Sequence, residues 1–398
     1  MQMDIDKKQT LTVSNIRNVN ITNIMQDIIR DKSKTRNELS KKNHISLMTV
    51  KHIVDDLIEM GILVEKASTG NDVGRKPKAL EIAESYGNIV CVNLTSVDEI
   101  SFLIYDIYEN LLDSQTVEFK EGCDYKENLL TAIAKVRERL CLLQTTTVGI
   151  AVFVPSAYYE EVDLVNYDLI ADFKELHIKK LFMEELSIDN VRVFHDVVPA
   201  AHSEYNSQEG SLGSQFYFYC GYGVGGFFIH EGVAVAGADL MAGEVGKMLI
   251  ADPSGNGYTT LEELISVNAL NKKLREHGIQ KKFRKLLTGE EPLSEAEMRI
   301  LDEVLELIAR VLYNLLWVYN PDRLVIDSCY KEYGALIVER FEKFMKEMKN
   351  EAIPIDVQVR QALYDEYHMM RGCFRMMREA WVEEITASRK SSEDEIKR

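Results

Sequence analysis

Along residues 16–29 the apolar positions Ile21, Ile24, Met25 and Ile28 recur at three- and four-residue intervals, which predicts a helix with one buried stripe. A polar stretch over 31–34 ends it. Thr35 is placed to cap a second helix through Arg36, Asn37, Glu38 and Leu39, because Glu38 stands three positions on and completes a capping box. After a short turn at 42–45, Ser46 caps a third helix whose apolar stripe reads Val50, Val54, Leu57 and Ile58. Met48, Thr49, Lys51, His52 and Asp55 fall on its other faces, and Gly61 closes it. Ile62, Leu63 and Val64, with the 78–82 stretch and the Gly/Asn/Asp-rich segment between them, form an expected two-stranded wing.

From residue 89 the period changes. Ile89 to Leu94 and 100–105 are apolar runs that predict the two strands of a hairpin. Helical spacing returns over 126–142 and 176–186, and over the long stretches 294–319 and 334–350. Strands are expected at 148–154, at Val191, Arg192, Val193 and Phe194 running into His195 and Asp196, and at 216–219, 225–230 and 324–326. Strands alternating with helices imply an α/β body.

Charge separates the front from the body. The first 80 residues carry 14 Lys and Arg against 10 Asp and Glu, a balance of +4, which leaves −21 for the rest of a chain whose net charge is −17. So acidic a body repels nucleic acid, which confines any DNA contact to the front. Three helices, a turn and a wing with positive bias predict a DNA reader whose third helix enters the major groove. A small helical protein-interaction domain with merely solvated charges is the alternative. The expected DNA contacts are Thr35, Arg36, Met48, Thr49, Lys51, His52, Arg75 and Lys76, with Lys41 and Lys42 also suited to phosphate. Arg75, within Gly74-Arg75-Lys76-Pro77, is slender enough to enter a narrow minor groove. The six cysteines contain no C-x-x-C pair, and neither a leader nor an apolar run of membrane-spanning length is found. A cytoplasmic protein without a membrane span is expected.

Four ordered motifs then carry a resemblance. Phe194-His195-Asp196 precedes the small run Val197-Val198-Pro199-Ala200-Ala201, and Gly221-Tyr222-Gly223-Val224-Gly225-Gly226-Phe227 forms a glycine-rich loop. Ala242-Gly243-Glu244-Val245-Gly246-Lys247 follows, and Leu261-Glu262 leads to Ser266. In these residues, and in the G-R-K-P-x-x-L segment after the helix-turn-helix, nearly the whole chain resembles the ROK family of sugar-responsive repressors and sugar kinases. The resemblance implies a winged helix-turn-helix over 1–83 followed by an actin-like (ribonuclease H-like), two-lobed sugar-kinase fold. The lobes would cover 84–198, completed by 374–398, and 199–373. It also implies sugar contacts from His195, Asp196, Glu244, Lys247 and Glu262, with Asp196 matching the kinase general base.

Departures from the family pattern shape the functional expectation. Where family kinases read D-x-G-G-T, this chain has Asn93-Leu94-Thr95-Ser96-Val97, and the G-G near the end is Asp327-Ser328. Side chains at glycine positions obstruct phosphate, and Asn in place of Asp removes charge that would favour a metal ion. Lys247 replaces the zinc-binding histidine, and 252–260 contains no cysteine, so neither zinc nor another cofactor is expected. With no working phosphate site, Asp196 would bind rather than catalyse. His195 and Lys247, in place of Asn and His, suit an acidic sugar or mark a vestigial pocket; Glu244 and Glu262 equally fit helix capping or solvation, and His195 a satisfied core position. Tyr222 and Phe227 are open between stacking surfaces and filler. The expected protein is a homodimeric, sugar-responsive repressor of carbohydrate-use genes on a palindromic operator. An active sugar kinase with a fused DNA reader, or a regulator controlled by a protein partner, are the alternatives.

Overall fold

The computed structural model describes residues 13–32, 34–67, 78–96, 98–120, 122–155, 158–165, 171–195, 197–206, 213–235, 237–238, 241–253, 255, 257–289, 291–348, 356–363 and 368–396. The chain divides into two compact units, residues 1–194 with 373–398, and residues 195–372.

In the first unit, the helix Val13–Asp31 buries Ile21, Ile24, Met25, Ile28 and Ile29. Thr35 caps Arg36–Asn43 with a complete capping box, and Ser46 caps Leu47–Glu59. That third helix buries Val50, Ile53, Val54 and Leu57, which corrects the expected stripe: Ile53 is core, whereas Ile58 is only partly buried. The observed set follows i, i+3, i+4, i+7, the spacing that keeps apolar side chains on one face at 3.6 residues per turn. The wing is longer than its apolar core suggested. Leu63–Ala67 pairs antiparallel with Lys78–Ile82, Leu63 opposite Ile82 and Ala67 opposite Lys78, and Lys34–Thr35 flanks the other side.

The same unit holds a five-stranded sheet ordered Val191–His195, Thr146–Val154, Tyr86–Asn93, Glu99–Asp106, Leu111–Glu118. Tyr86–Asn93 forms the expected hairpin with Glu99–Asp106 and lies parallel to Thr146–Val154. The strand Leu111–Glu118 was not foreseen, because an edge strand buries little: Leu111 and Leu112 are exposed and Val117 is buried. Val90, Val92, Phe102 and Ile104 pack under Leu129, Ile133 and Val136 of the helix Tyr125–Leu143 and under Phe182 of Ile178–Leu186. The latter helix lacks a cap from its own flanking residue. Asp163 supplies one from a distance, accepting the N–H groups of Lys179 and Lys180 at 2.9 Å each. The long helix His368–Ile396 closes the chain.

The second unit carries its own five-stranded sheet, ordered Val233–Ala234, Val224–His230, Ser214–Cys220, Arg323–Asp327, Gln358–Gln361. Ser214–Cys220 and Val224–His230 form a hairpin, while Ser214–Cys220, Arg323–Asp327 and Gln358–Gln361 run parallel. On one face the helix Glu295–Tyr319, capped by Ser294, packs Ile308 and Leu312 with Phe216, Phe218 and Phe341. The 334–350 helix begins earlier than its pattern suggested, at Lys331, and ends at Glu347. On the other face Tyr217, Ile229 and Val325 meet Ala200 and Ala201 of the helix Val197–Asn206.

Candidate nucleic-acid interface and sugar pocket

The third helix is built from its cap. Ser46 Oγ accepts the Thr49 N–H at 3.0 Å and lies 2.8 Å from Thr49 Oγ1, so the first turn is held by side chains rather than by water. With Val50, Ile53, Val54 and Leu57 inward, Leu47, Met48, Lys51, His52 and Asp55 lie exposed. Met48 keeps 62% of its surface accessible and Leu47 49%, which leaves two adjacent apolar side chains at the start of the helix open to solvent. Leu47 was missed from sequence; its position directly after the cap was the available signal.

Other expected contacts divide by what already holds them. Thr35 uses its hydroxyl for the cap, accepting the Glu38 N–H at 3.3 Å and donating to Glu38 Oε2 at 2.8 Å. Thr49 is half-buried against Ser46. Arg36 differs most from expectation. Its Nη2 donates to Asp55 Oδ1 at 2.8 Å and its Nη1 to Glu65 on the wing, so the guanidinium ties the second helix to the third and to the wing instead of standing ready for phosphate. Glu65 is held below the ordinary carboxylate range by Lys78 first and Arg36 second. Lys42 is likewise occupied, 2.9 Å from Asp27 and 3.2 Å from Asp31. Arg75 and Lys76 lie outside the described residues.

Within the second unit the expected sugar contacts gather around one tight segment. Gly243 has φ +94°, and a Cβ there would sit 2.1 Å from Gly226 O; the Gly226 N–H donates to Gly243 O at 2.8 Å. This close approach lays the 3-10 turn Val245–Lys247 against the strand Val224–His230. Glu244, before the turn, places Oε1 3.9 Å from His195 Nδ1 at the end of the strand Val191–His195. Lys247, at its end, places Nζ 3.7 Å from Glu262 Oε1, and Glu262 Oε2 accepts the Val224 N–H at 3.0 Å. Four of the five expected residues thus form two acid–base pairs flanking one turn. Glu244 and His195 are one-quarter exposed, a setting suited to converging on hydroxyls, whereas Glu262 already spends one oxygen on the backbone. Asp196 lies outside the described residues.

The positions at which the sequence departs from the pattern of family kinases each have their own local structure. Asn93 Oδ1 accepts both the N–H (2.8 Å) and the hydroxyl (2.7 Å) of Thr95, an Asx turn where the resemblance places a phosphate loop. Asp327 is buried, accepts the Ser328 N–H at 2.7 Å and takes the phenolic hydrogen of Tyr217. Gly221 to Gly223 closes a tight turn through Gly221 N–H to Gly223 O, 2.8 Å. The open alternatives for two aromatics separate here. Phe227 is core, whereas Tyr222 is exposed with its hydroxyl 2.8 Å from that of Tyr330. The Asp252 N–H donates to Gly257 O at 2.9 Å.

A winged helix-turn-helix that shares the first unit with one five-stranded sheet, and a second five-stranded sheet in the other unit, define the class: a winged helix-turn-helix joined to an actin-like sugar-kinase fold. The chain belongs to the ROK family, whose sequence model matches residues 91–380. It is 22% identical over 386 residues to the xylose repressor of Caldicellulosiruptor bescii, covering 91% of this chain and 96% of that one. It is 24% identical over 329 residues to the xylose repressor of Staphylococcus xylosus, covering 78% and 82%. Among solved structures, a ROK family transcriptional regulator described as a homolog of the E. coli MLC protein superposes with a TM-score of 0.73 at 15% identity, covering 94% of this chain and 98% of that one. The ROK hexokinase from Thermus thermophilus gives a TM-score of 0.58 at 18% identity, over 72% of this chain and 96% of the enzyme, so the part shared with it omits over a quarter of this chain. Among the described residues no helix is long and apolar enough to cross a membrane.

Proposed function

We propose that this protein is a transcriptional repressor of carbohydrate-use genes that binds operator DNA as a homodimer and responds to a sugar held at His195, Asp196, Glu244, Lys247 and Glu262. The observation that carries this reading is the exposed face of Leu47, Met48, Lys51 and His52 on a capped helix, backed by a buried stripe and a wing, ahead of a ROK body. Such a face has the length and chemistry to meet base edges in a major groove. The relatives named xylose repressor make D-xylose the first sugar to test.

The reading includes no phosphoryl transfer. Phosphoryl transfer rests on groups that position phosphate and neutralise its charge. Here Asn93 is committed to Thr95, and a buried carboxylate, Asp327, stands where the family has glycine. An ADP-release assay over a panel of sugars is expected to show no turnover; turnover abolished by Asp196→Asn would make the protein a kinase.

The main test is fluorescence anisotropy with duplex from the chain's own upstream region. Binding is expected to weaken by about a hundredfold or more between about 50 and about 200 mM salt, the counterion-release signature of roughly four neutralised phosphates. D-xylose is expected to shift the affinity, and Glu244→Ala to remove that shift. Absence of any salt-sensitive binding, with and without sugars, would sink the proposal.

A further inference from the structure

Between the strands Glu99–Asp106 and Leu111–Glu118 the chain turns through Ile107, Tyr108, Glu109 and Asn110. Asp106 holds this turn together. Its Oδ1 accepts the N–H groups of Tyr108 (2.9 Å) and Asn110 (2.8 Å), and its Oδ2 accepts Asn110 Nδ2 at 2.6 Å. The Asp106 N–H donates to Asn110 O at 2.9 Å and the Glu109 N–H to Asp106 O at 3.0 Å. Five hydrogen bonds within 106–110 thus fix the shape of the turn.

Two consecutive side chains of the turn engage different parts of the first unit. The Tyr108 hydroxyl accepts the N–H of Ile82, last residue of the wing strand Lys78–Ile82, at 3.0 Å, and its ring lies 5.8 Å from Nζ of Lys32, just past the first helix. Glu109 receives Arg375 of the C-terminal helix through three contacts, Nη2 to Oε1 at 2.7 Å and Nε to both oxygens at 3.2 and 3.1 Å. Arg378, one turn on, donates to Ile107 O at 3.3 Å and lies 4.9 Å from the Phe374 ring. Wing and C-terminal helix are thus joined through adjacent residues of one hydrogen-bonded turn.

The other end of the helix belongs to the second unit. The helix His368–Ile396 crosses the border between the two units at Gly372 and Cys373. Within the second unit Gly372 packs so closely on the helix Val197–Asn206 that a Cβ would stand 1.9 Å from Pro199 O. That helix begins directly after His195 and Asp196. A movement of its first turn presses on backbone, with no flexible side chain between to absorb it.

We propose that the 106–110 turn is a relay through which the C-terminal helix sets the wing strand, Glu109 receiving Arg375 and Tyr108 delivering to Ile82. The relay gives a sugar bound near His195 a mechanical route to the DNA reader, and this part rests on the function proposed above. Tyr108 is a positioning residue in this scheme and touches neither DNA nor sugar.

A double-mutant cycle on the full chain tests it, with melting temperature as the folding control. Arg375→Gln is expected to speed amide exchange in the Lys78–Ile82 segment by roughly fivefold or more, and to change affinity for the chain's upstream duplex by a similar factor. In a Tyr108→Phe background, which keeps the ring and loses the hydroxyl, Arg375→Gln is expected to add nothing. Glu109→Gln repeats the test if Arg375→Gln does not fold. Wing exchange unmoved by a folded helix variant, or full additivity of the two substitutions, overturns the relay. Coupled exchange in a chain that binds no duplex would retain the relay and refute the DNA-binding function.

Discussion

Tyr217 and Asp327 stand on neighbouring parallel strands of the second unit, and the phenol donates its hydrogen to the carboxylate inside the fold. Burial first, and Asp327 next, push the Tyr217 phenol well above its ordinary range, so it remains a donor at any physiological pH. Asp327→Ala leaves this buried hydroxyl without its acceptor, and is expected to destabilise the protein by about 1–3 kcal/mol. Urea denaturation measures it; an unchanged midpoint would show that the pair adds nothing net.

Ser46→Ala removes the cap of the third helix. The expected cost is about 1 kcal/mol, with a further loss of DNA affinity because Leu47 and Met48 lie in the turn that frays. Ser46→Asp, which restores an acceptor for the Thr49 N–H, should recover stability in the same urea titration. Recovery of neither would mean that packing alone holds the helix start.

On the exposed face of the third helix, Lys51→Ala is expected to weaken duplex binding by roughly tenfold. Met48→Ala should instead reduce discrimination between the upstream duplex and a scrambled one, with little change in salt dependence. Anisotropy titrations at two salt concentrations distinguish the two effects. Equal affinity of both variants and the parent would move the interface elsewhere.

The second helix predicts a pH dependence. Glu38 is held below its ordinary value of 4.5 by the Thr35 N–H first and the Thr35 hydroxyl second, and Glu65 is lowered by Lys78 and Arg36. A carboxyl whose folded-state pKa is depressed stabilises fully above its unfolded value, and that contribution is lost as pH falls through the folded value. Stability measured by denaturation should therefore decline as pH drops below about 4.5, and Glu38→Gln, which keeps the cap without the charge, should flatten the decline. An identical pH profile for the variant would assign the acid sensitivity to other carboxyls.

Gly243→Ala tests the packing of the Val245–Lys247 turn. The new Cβ would meet Gly226 O in a left-handed backbone conformation, and the expected loss is about 1–3 kcal/mol together with loss of any sugar-induced thermal shift. A stable variant with an intact shift would show that the turn relaxes without disturbing Glu244.

The sequence by itself determined what depends on neighbours within a few positions. The caps at Thr35 and Ser46, the helical periods, the hairpin strands and the loss of glycine at Asn93 to Val97 are written locally, because capping, amphipathic spacing and turn chemistry act over three or four residues. Tertiary structure decided matters that join distant residues. It placed Ile53 in the core, turned Arg36 from phosphate toward Asp55 and Glu65, and exposed Leu111 and Leu112 on an edge strand. It also paired His195 with Glu244, and linked Ile82 to Arg375 through Tyr108 and Glu109, residues 293 positions apart in the chain at its ends. No period or motif encodes such contacts, because an ion pair or a buried hydrogen bond depends on where the backbone brings each partner, and that is settled only when the sheets and helices pack.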